Sequence, residues 1–233
     1  MFTIPSLLED TLHLFFPHHC NGCGDDVLEK NHLLCISCYN KLPRTNFSNI
    51  PDNIIEKIFY GRLPLSAAYS EFYFSKGQLI QQLVHQLKYK GNKEIGFYLG
   101  EMMGESLLKS SRFSNIDAIV PLPMYANKEN IRGYNQATIL SKGIESIMRV
   151  PVFDKIITRN RATETQTRKH RTERWLNVDG SFFIKDIASL IGKNILLVDD
   201  VITTGATLEA CGQLILKLPG TNLSIATLAQ ASK

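Results

Sequence analysis

The segment Asn194–Leu208, NILLVDDVITTGATL, constrains the fold of this chain more than any other. Ile195, Leu196, Leu197 and Val198 form a short uninterrupted apolar run, the pattern of a strand covered on both faces of a parallel sheet. Asp199 and Asp200 follow at its carboxyl end, where open α/β sheets place their ligands. The turn Thr203, Thr204, Gly205, Ala206, Thr207 then brings backbone N–H groups and three hydroxyls to the start of a helix. Unpaired amides and the positive end of a helix dipole both favour an anion there. Two acids for ribose hydroxyls beside a phosphate cradle suit a ribose 5-phosphate. A solvated strand end and an ordinary βα loop with a threonine cap each explain one part, but not strand, acids, hydroxyls and helix in register.

The same segment resembles the signature of type I phosphoribosyltransferases: four apolar residues, two acids, an apolar residue, then a Thr/Gly phosphate loop. The resemblance implies binding of 5-phosphoribosyl-1-diphosphate (PRPP) together with Mg²⁺. The 5-phosphate is expected on Thr203–Thr207, with Asp199 and Asp200 at the ribose hydroxyls, directly or through the metal. In that family the loop after the first core strand holds the pyrophosphate. Here that strand is read over Ile116–Pro121, and the loop continues to Arg132-Gly133-Tyr134-Asn135-Gln136. Arg132 is expected to present its guanidinium and Gly133 an unobstructed N–H. Read without the family, Arg132 is equally a surface charge at a helix entry.

Near the N-terminus, Cys20-Asn-Gly-Cys23 and Cys35-Ile-Ser-Cys38 form two CxxC pairs. Each turn aims two thiolates at one point, and two turns complete a tetrahedral shell for a structural Zn²⁺. Two disulfides would need an oxidising compartment, and a thioredoxin-like redox pair needs a single CxxC in a βαβ setting. A segment this small lacks a core of its own, so the metal is expected to hold it together. Loss of a cysteine is expected to leave PRPP binding largely intact. The remaining cysteine, Cys211, sits in an apolar helical context.

A formal net charge of +4 supports neither a DNA-coating nor a membrane-surface protein by itself. No apolar run approaches the roughly 18–20 residues needed to span a bilayer. The first residues lack a basic region and carry Glu9 and Asp10, so no cleaved leader is expected. Leu7, Leu8, Leu12 and Phe15 instead fit a short amphipathic helix packed on the body, with a membrane anchor as the alternative. With the cysteine usage, these features point to the cytoplasm and no membrane partner.

Between the modules, a short helix is expected over Asp52–Tyr60 and a strand around Tyr69–Phe74 with aromatics on both faces. Two helical stripes follow: Leu79, Ile80, Leu83, Val84, Leu87, and then Ile95, Leu99, Met102, Met103, Leu107, the methionines being read as core. The stretch Phe153–Phe182 packs Arg159, Arg161, Arg168, Lys169, Arg171 and Arg174 among Thr and Gln without apolar periodicity. Such a stretch reads as a mobile loop, able to close over a diphosphate and exclude water. It also reads as a solvated loop, or as a nucleic-acid contact with Tyr125, Tyr134 and Trp175 as stacking residues.

Taken in order along nearly the whole chain, these motifs resemble the ComF family, associated with competence and DNA uptake. The matching residues are the CxxC pairs, Leu87–Gly91, Pro121–Gln136, then Arg161, Thr163, Gln166, Arg174, Asn177 and Phe182, and Val198–Leu208. Tyr134 stands where the family usually has Phe, and Arg168 and Lys169 stand where small and apolar residues are expected. The resemblance implies an α/β fold, a doubly wound and mostly parallel sheet, with a small N-terminal zinc ribbon. The division expected is 1–45 for the N-terminal helix and ribbon and 46–233 for the α/β domain. Asp199, Asp200 and Arg132 are the expected catalytic residues. Thr203, Thr204, Gly205, Ala206, Thr207, Gly133, Arg159, Arg161 and Arg174 are expected on the substrate. The activity implied is transfer of ribosyl 5-phosphate to an acceptor that no motif specifies. A non-catalytic PRPP sensor or a single-stranded-DNA-binding protein is the alternative, and competence-machinery proteins are the partners the family suggests.

Overall fold

A computed structural model describes residues 19–26, 32–159 and 181–231. The expected N-terminal helix, and the centre of the basic stretch with Arg161, Arg174 and Trp175, lie outside the described residues.

The core is a four-stranded parallel sheet built from β1 (Ala67–Phe74), β2 (Ala118–Pro121), β5 (Asn194–Ile202) and β6 (Asn222–Ala231). The strand order is β1-β6-β5-β2. A separate antiparallel pair, β3 (Ile157–Arg159) and β4 (Phe182–Ile184), aligns Arg159 with Phe182. The apolar run of β5 alternates between two cores, as a strand buried on both faces must. Leu196 and Val198 enter one, and Ile195 and Leu197 the other.

The first core is covered by α3 (Leu79–Tyr89), α4 (Lys93–Leu108) and α6 (Gln136–Met148); the second by α2 (Ile54–Phe59) and α7 (Ala206–Ile215). The connection leaving β2 runs through α5 (Ala126–Arg132) to α6 on one face, whereas that leaving the adjacent β5 runs to α7 on the other. Between two such diverging connections a crevice opens beyond the carboxyl ends of the strands.

Both expected helical stripes are present, and Met102 and Met103 are buried. The helix expected over Asp52–Tyr60 is shorter, because Asn53 caps it by accepting hydrogen bonds from the Ile55 and Glu56 N–H groups. The strand expected from Ile116 begins at Ala118. β5 does not end at the acids. It pairs with β2 only as far as Val198, but β6 carries it on to Ile202, with Asp199 opposite Thr227 and Val201 opposite Ala229. The acids therefore emerge where β2 stops, not where β5 stops.

The short helix α1 (Ile36–Asn40) carries the second CxxC pair, and Cys20, Leu34 and Cys38 are buried in the same cluster as Ile80, Leu83 and Leu87. No helix among the described residues is long and apolar enough to cross a membrane.

α4 and α6 cross at contact distance through glycine. A Cβ on Gly143 would lie 2.2 Å from the Phe97 carbonyl oxygen, and one on Gly100 would lie 2.3 Å from that of Leu140. Backbone on both sides cannot yield, so Gly143→Leu is expected to cost at least about 1–3 kcal/mol in urea unfolding. Lys109→Ala, at an exposed pair with Glu105, should stay within about 0.5 kcal/mol of the parent.

Candidate functional site

The crevice contains a cavity of about 230 Å³ whose lining includes Lys88, Lys128, Arg132, Arg159, Asp199, Asp200 and Thr207. Six charged side chains from four parts of the chain thus converge where β5 outruns β2. Four are cationic and two acidic, a balance that favours a polyanion.

Asp199 and Asp200 are half-buried. The Asp200 N–H donates to Asp199 Oδ1 at 2.8 Å, and Lys88 Nζ lies 2.8 Å from Asp200 Oδ2. Burial, then the charge of Asp200 beside it, pushes the Asp199 carboxyl up to about 8. An all-oxygen pair of this kind has the donor chemistry of a hard cation such as Mg²⁺.

The hydroxyl turn is shaped from behind. Gly205 has φ +74°, and a Cβ there would meet Ile58 Cγ2 and Phe59 Cε1 on α2, both at 2.9 Å. Arg62 holds the turn from outside, donating to the Thr204 carbonyl at 3.2 Å and pairing with Glu209 at 2.7 Å. Thr203, Thr204 and Ala206 are exposed, Gly205 is buried, and Thr207 is the turn residue that lines the cavity.

On the opposite wall, Asn135 fastens the loop after β2. Its side chain accepts from the Ala137 N–H at 3.0 Å, capping α6, and donates to the Leu122 carbonyl at 3.0 Å. Arg132 donates to Gln136 Oε1 at 2.8 Å, with its guanidinium 5.4 Å from the Tyr89 ring centre. The expectation for Gly133 needs correction. Its N–H donates to the Glu129 carbonyl at 2.7 Å and closes α5, and its φ is +77°. That amide is spent within the helix terminus, and Gly133 is not in the cavity lining.

Arg159, expected on the substrate from a mobile basic loop, lines the cavity but does so from the end of strand β3. Its guanidinium lies 4.0 Å from the Tyr125 ring centre and 5.0 Å from that of Phe182, and its buried Nε has no hydrogen-bond partner among the described residues. Tyr134 is buried, and its hydroxyl donates to the Leu87 carbonyl. Neither tyrosine stands as a free stacking platform. The residue that sequence reasoning missed is Lys88. Its signal was present in the Leu87–Gly91 segment shared with the ComF pattern, but spacing alone does not show that a helix end reaches Asp200.

Away from this cavity, the sulfurs of Cys20, Cys23, Cys35 and Cys38 all lie within 4.8 Å of one another. Backbone N–H groups of Gly22 and Cys35 donate to Cys20 Sγ at 3.3 and 3.2 Å. Burial alone would raise the Cys20 thiol, but the backbone amides of Cys35, Cys23 and Gly22, with the Cys23 side chain, outweigh it and bring it down to about 6. Four clustered thiols with N–H donors aimed at sulfur fit a tetrahedral Zn²⁺.

Sheet, crevice and acid-bearing strand define the class as a type I phosphoribosyltransferase-like fold, and the family model for the phosphoribosyl transferase domain matches residues 129–233. Competence protein F of Haemophilus influenzae is 28% identical over 222 residues, spanning 93% of this chain and 86% of that protein. DNA utilization protein YhgH of Escherichia coli is 29% identical over 141 residues, 59% of this chain and 61% of its own length. An adenine phosphoribosyltransferase structure from Saccharomyces cerevisiae overlaps 67% of this chain and 70% of its own at 18% identity, with a TM-score of 0.34. The chain is thus a homologue of these competence and DNA-utilization proteins and carries a phosphoribosyl transferase domain.

The raised Asp199 carboxyl has a consequence for stability. A carboxyl that holds its proton more tightly when folded favours the folded state while protonated. That contribution is full below the unfolded value near 3.8 and is lost as pH rises towards about 8. Asp199→Asn should therefore raise Tm at pH 8 by about 2–4 °C and flatten the decline in Tm between pH 4 and 8, as followed by calorimetry.

Proposed function

We propose that the chain binds Mg·PRPP in the crevice beyond β5 and transfers its ribosyl 5-phosphate to an acceptor nucleophile. One observation carries this reading: the two acids, Thr207 at the end of the hydroxyl turn, and four cations line a single cavity at the point where the chain diverges to opposite faces. The 5-phosphate occupies the Thr203–Thr207 turn, where backbone amides and the start of α7 favour an anion. Asp199 and Asp200 accept hydrogen bonds from the ribose hydroxyls and hold Mg²⁺, which when bound offsets diphosphate charge. Arg132 and Arg159 face the pyrophosphate from two sides. As the bond from the anomeric carbon to pyrophosphate breaks, positive charge develops on the sugar and negative charge on the leaving group. The acids and the guanidiniums then stabilise opposite ends of that separation.

The test is calorimetry of Mg·PRPP binding. Removing charged hydrogen-bond partners from such a site costs about 2–5 kcal/mol, so Asp199→Asn with Asp200→Asn should weaken binding at least about tenfold. Unchanged affinity would refute the assignment. Pyrophosphate release across a panel of purine, pyrimidine and related acceptors identifies the nucleophile. Single-stranded DNA is the weaker reading, because the Tyr125 and Tyr134 rings are occupied and the same cations face the PRPP cavity.

Cys20, Cys23, Cys35 and Cys38 hold one Zn²⁺ in this reading. The module also braces the cavity. Gln86 at the end of α3 donates to the Asn21 carbonyl at 2.7 Å, and Asn92 donates to Asn21 Oδ1 at 2.8 Å. The expectation that loss of a zinc-binding cysteine leaves PRPP binding largely intact therefore gives way to a coupled one, since α3 carries Lys88. Elemental analysis should find about one equivalent of zinc. Cys38→Ser should reduce it and speed amide exchange over Leu79–Tyr89; zinc below half an equivalent in untreated wild-type protein would count against the site.

A further inference from the structure

We propose that Lys88, which precedes the segment matched by the transferase family, is a ligand-binding residue of the Asp199–Asp200 site: Asp200 holds its ammonium at the cavity until a diphosphate takes it over. This rests on the PRPP reading above. The last turn of α3 meets the site through three consecutive residues. The Leu87 carbonyl accepts the Tyr134 hydroxyl, Lys88 Nζ lies 2.8 Å from Asp200 Oδ2, and the Tyr89 ring lies 5.4 Å from the Arg132 guanidinium. A surface lysine that happened to find an acid would not bring both sequence neighbours into contact with the same loop. The pair is also sheltered, with side-chain exposures of 19% for Lys88 and 14% for Asp200. That sets it apart from the exposed ion pairs that contribute little.

Charge balance gives the pair its meaning. Lys88 shares the cavity with Lys128, Arg132 and Arg159. A fourth cation there is unfavourable unless an acid compensates it, and Asp200 does so. A divalent cation at the acids would compete with Lys88 for Asp200, because two cations at contact distance on one carboxylate repel. A diphosphate brings the opposite charge into the same space. An ammonium on a flexible four-carbon stem can change partners without backbone movement, as a planar guanidinium stacked on a ring cannot. The bound state therefore redistributes charge, with metal on the acids and Lys88 on the diphosphate.

The test is titration calorimetry on the full chain with three probes: Mn²⁺ alone, Mg·pyrophosphate and Mg·PRPP. Lys88→Met is expected to bind Mn²⁺ several-fold more tightly, having no resident cation to displace. The same variant should bind pyrophosphate and PRPP about tenfold more weakly, the loss of one charged hydrogen bond. Lys88→Arg should restore anion binding to within about threefold of wild type. A purely structural lysine would move all three affinities down together. Unchanged anion affinity in Lys88→Met, or Mn²⁺ affinity that falls with it, overturns the proposal. Wild-type protein that binds neither anion instead overturns the PRPP reading, so the two failures are told apart by which protein loses the ligand.

Discussion

Everything at the site depends on β5 being buried on both faces while its two neighbours treat it differently. Towards β2 its pairing stops at Val198, and towards β6 it continues to Ile202. The two acids sit in that gap, held rigidly by one partner and released by the other. Their side chains reach the crevice without a loop to disorder them, and the helices leaving β2 and β5 diverge to opposite cores around it. The crevice at this place follows from connectivity, and its charge from what stands at the edge of the gap.

The charges lining the cavity suit a polyanion. Burial raises the proton affinity of Asp199, while Lys88 and Arg159 pull the other way. Four cations stand over two acids, an arrangement that a bound polyanion would relieve. Arg159 shows how the cost of holding a cation is met: its guanidinium is stacked between Tyr125 and Phe182, which orients it without offering a competing carboxylate.

The cysteine module is part of the same mechanics. Its buried residues join the core under α3 and α4, and Asn21 between its first two cysteines is held by Gln86 and Asn92. The cysteine module thus meets α3 at the same end that carries Lys88. The close glycine contact of α4 with α6 links this helix layer to the loop that presents Arg132, since α6 begins where that loop ends.

Local sequence was enough for the parts whose physics is local. The apolar run of β5, the acids after it, the glycine-bearing hydroxyl turn, the helical stripes and the paired CxxC turns all follow from periodicity and residue chemistry, and all are present. Element ends were read less well, because β5 is extended by β6, a partner 20 residues further on, and α2 is shortened by an asparagine cap. The misread side chains share one cause. Gly133 looked like an open amide, Tyr134 like a stacking ring, and Lys88 drew no role within the Leu87–Gly91 motif, yet each is decided by a neighbour that local pattern does not name: the Glu129 carbonyl, the Leu87 carbonyl and Asp200. Sequence by itself determined which groups exist and which can fold into strand, turn or helix. Only the tertiary structure decided which of them face one cavity, because convergence there depends on a parallel sheet that brings residues 88, 132, 159 and 199 together.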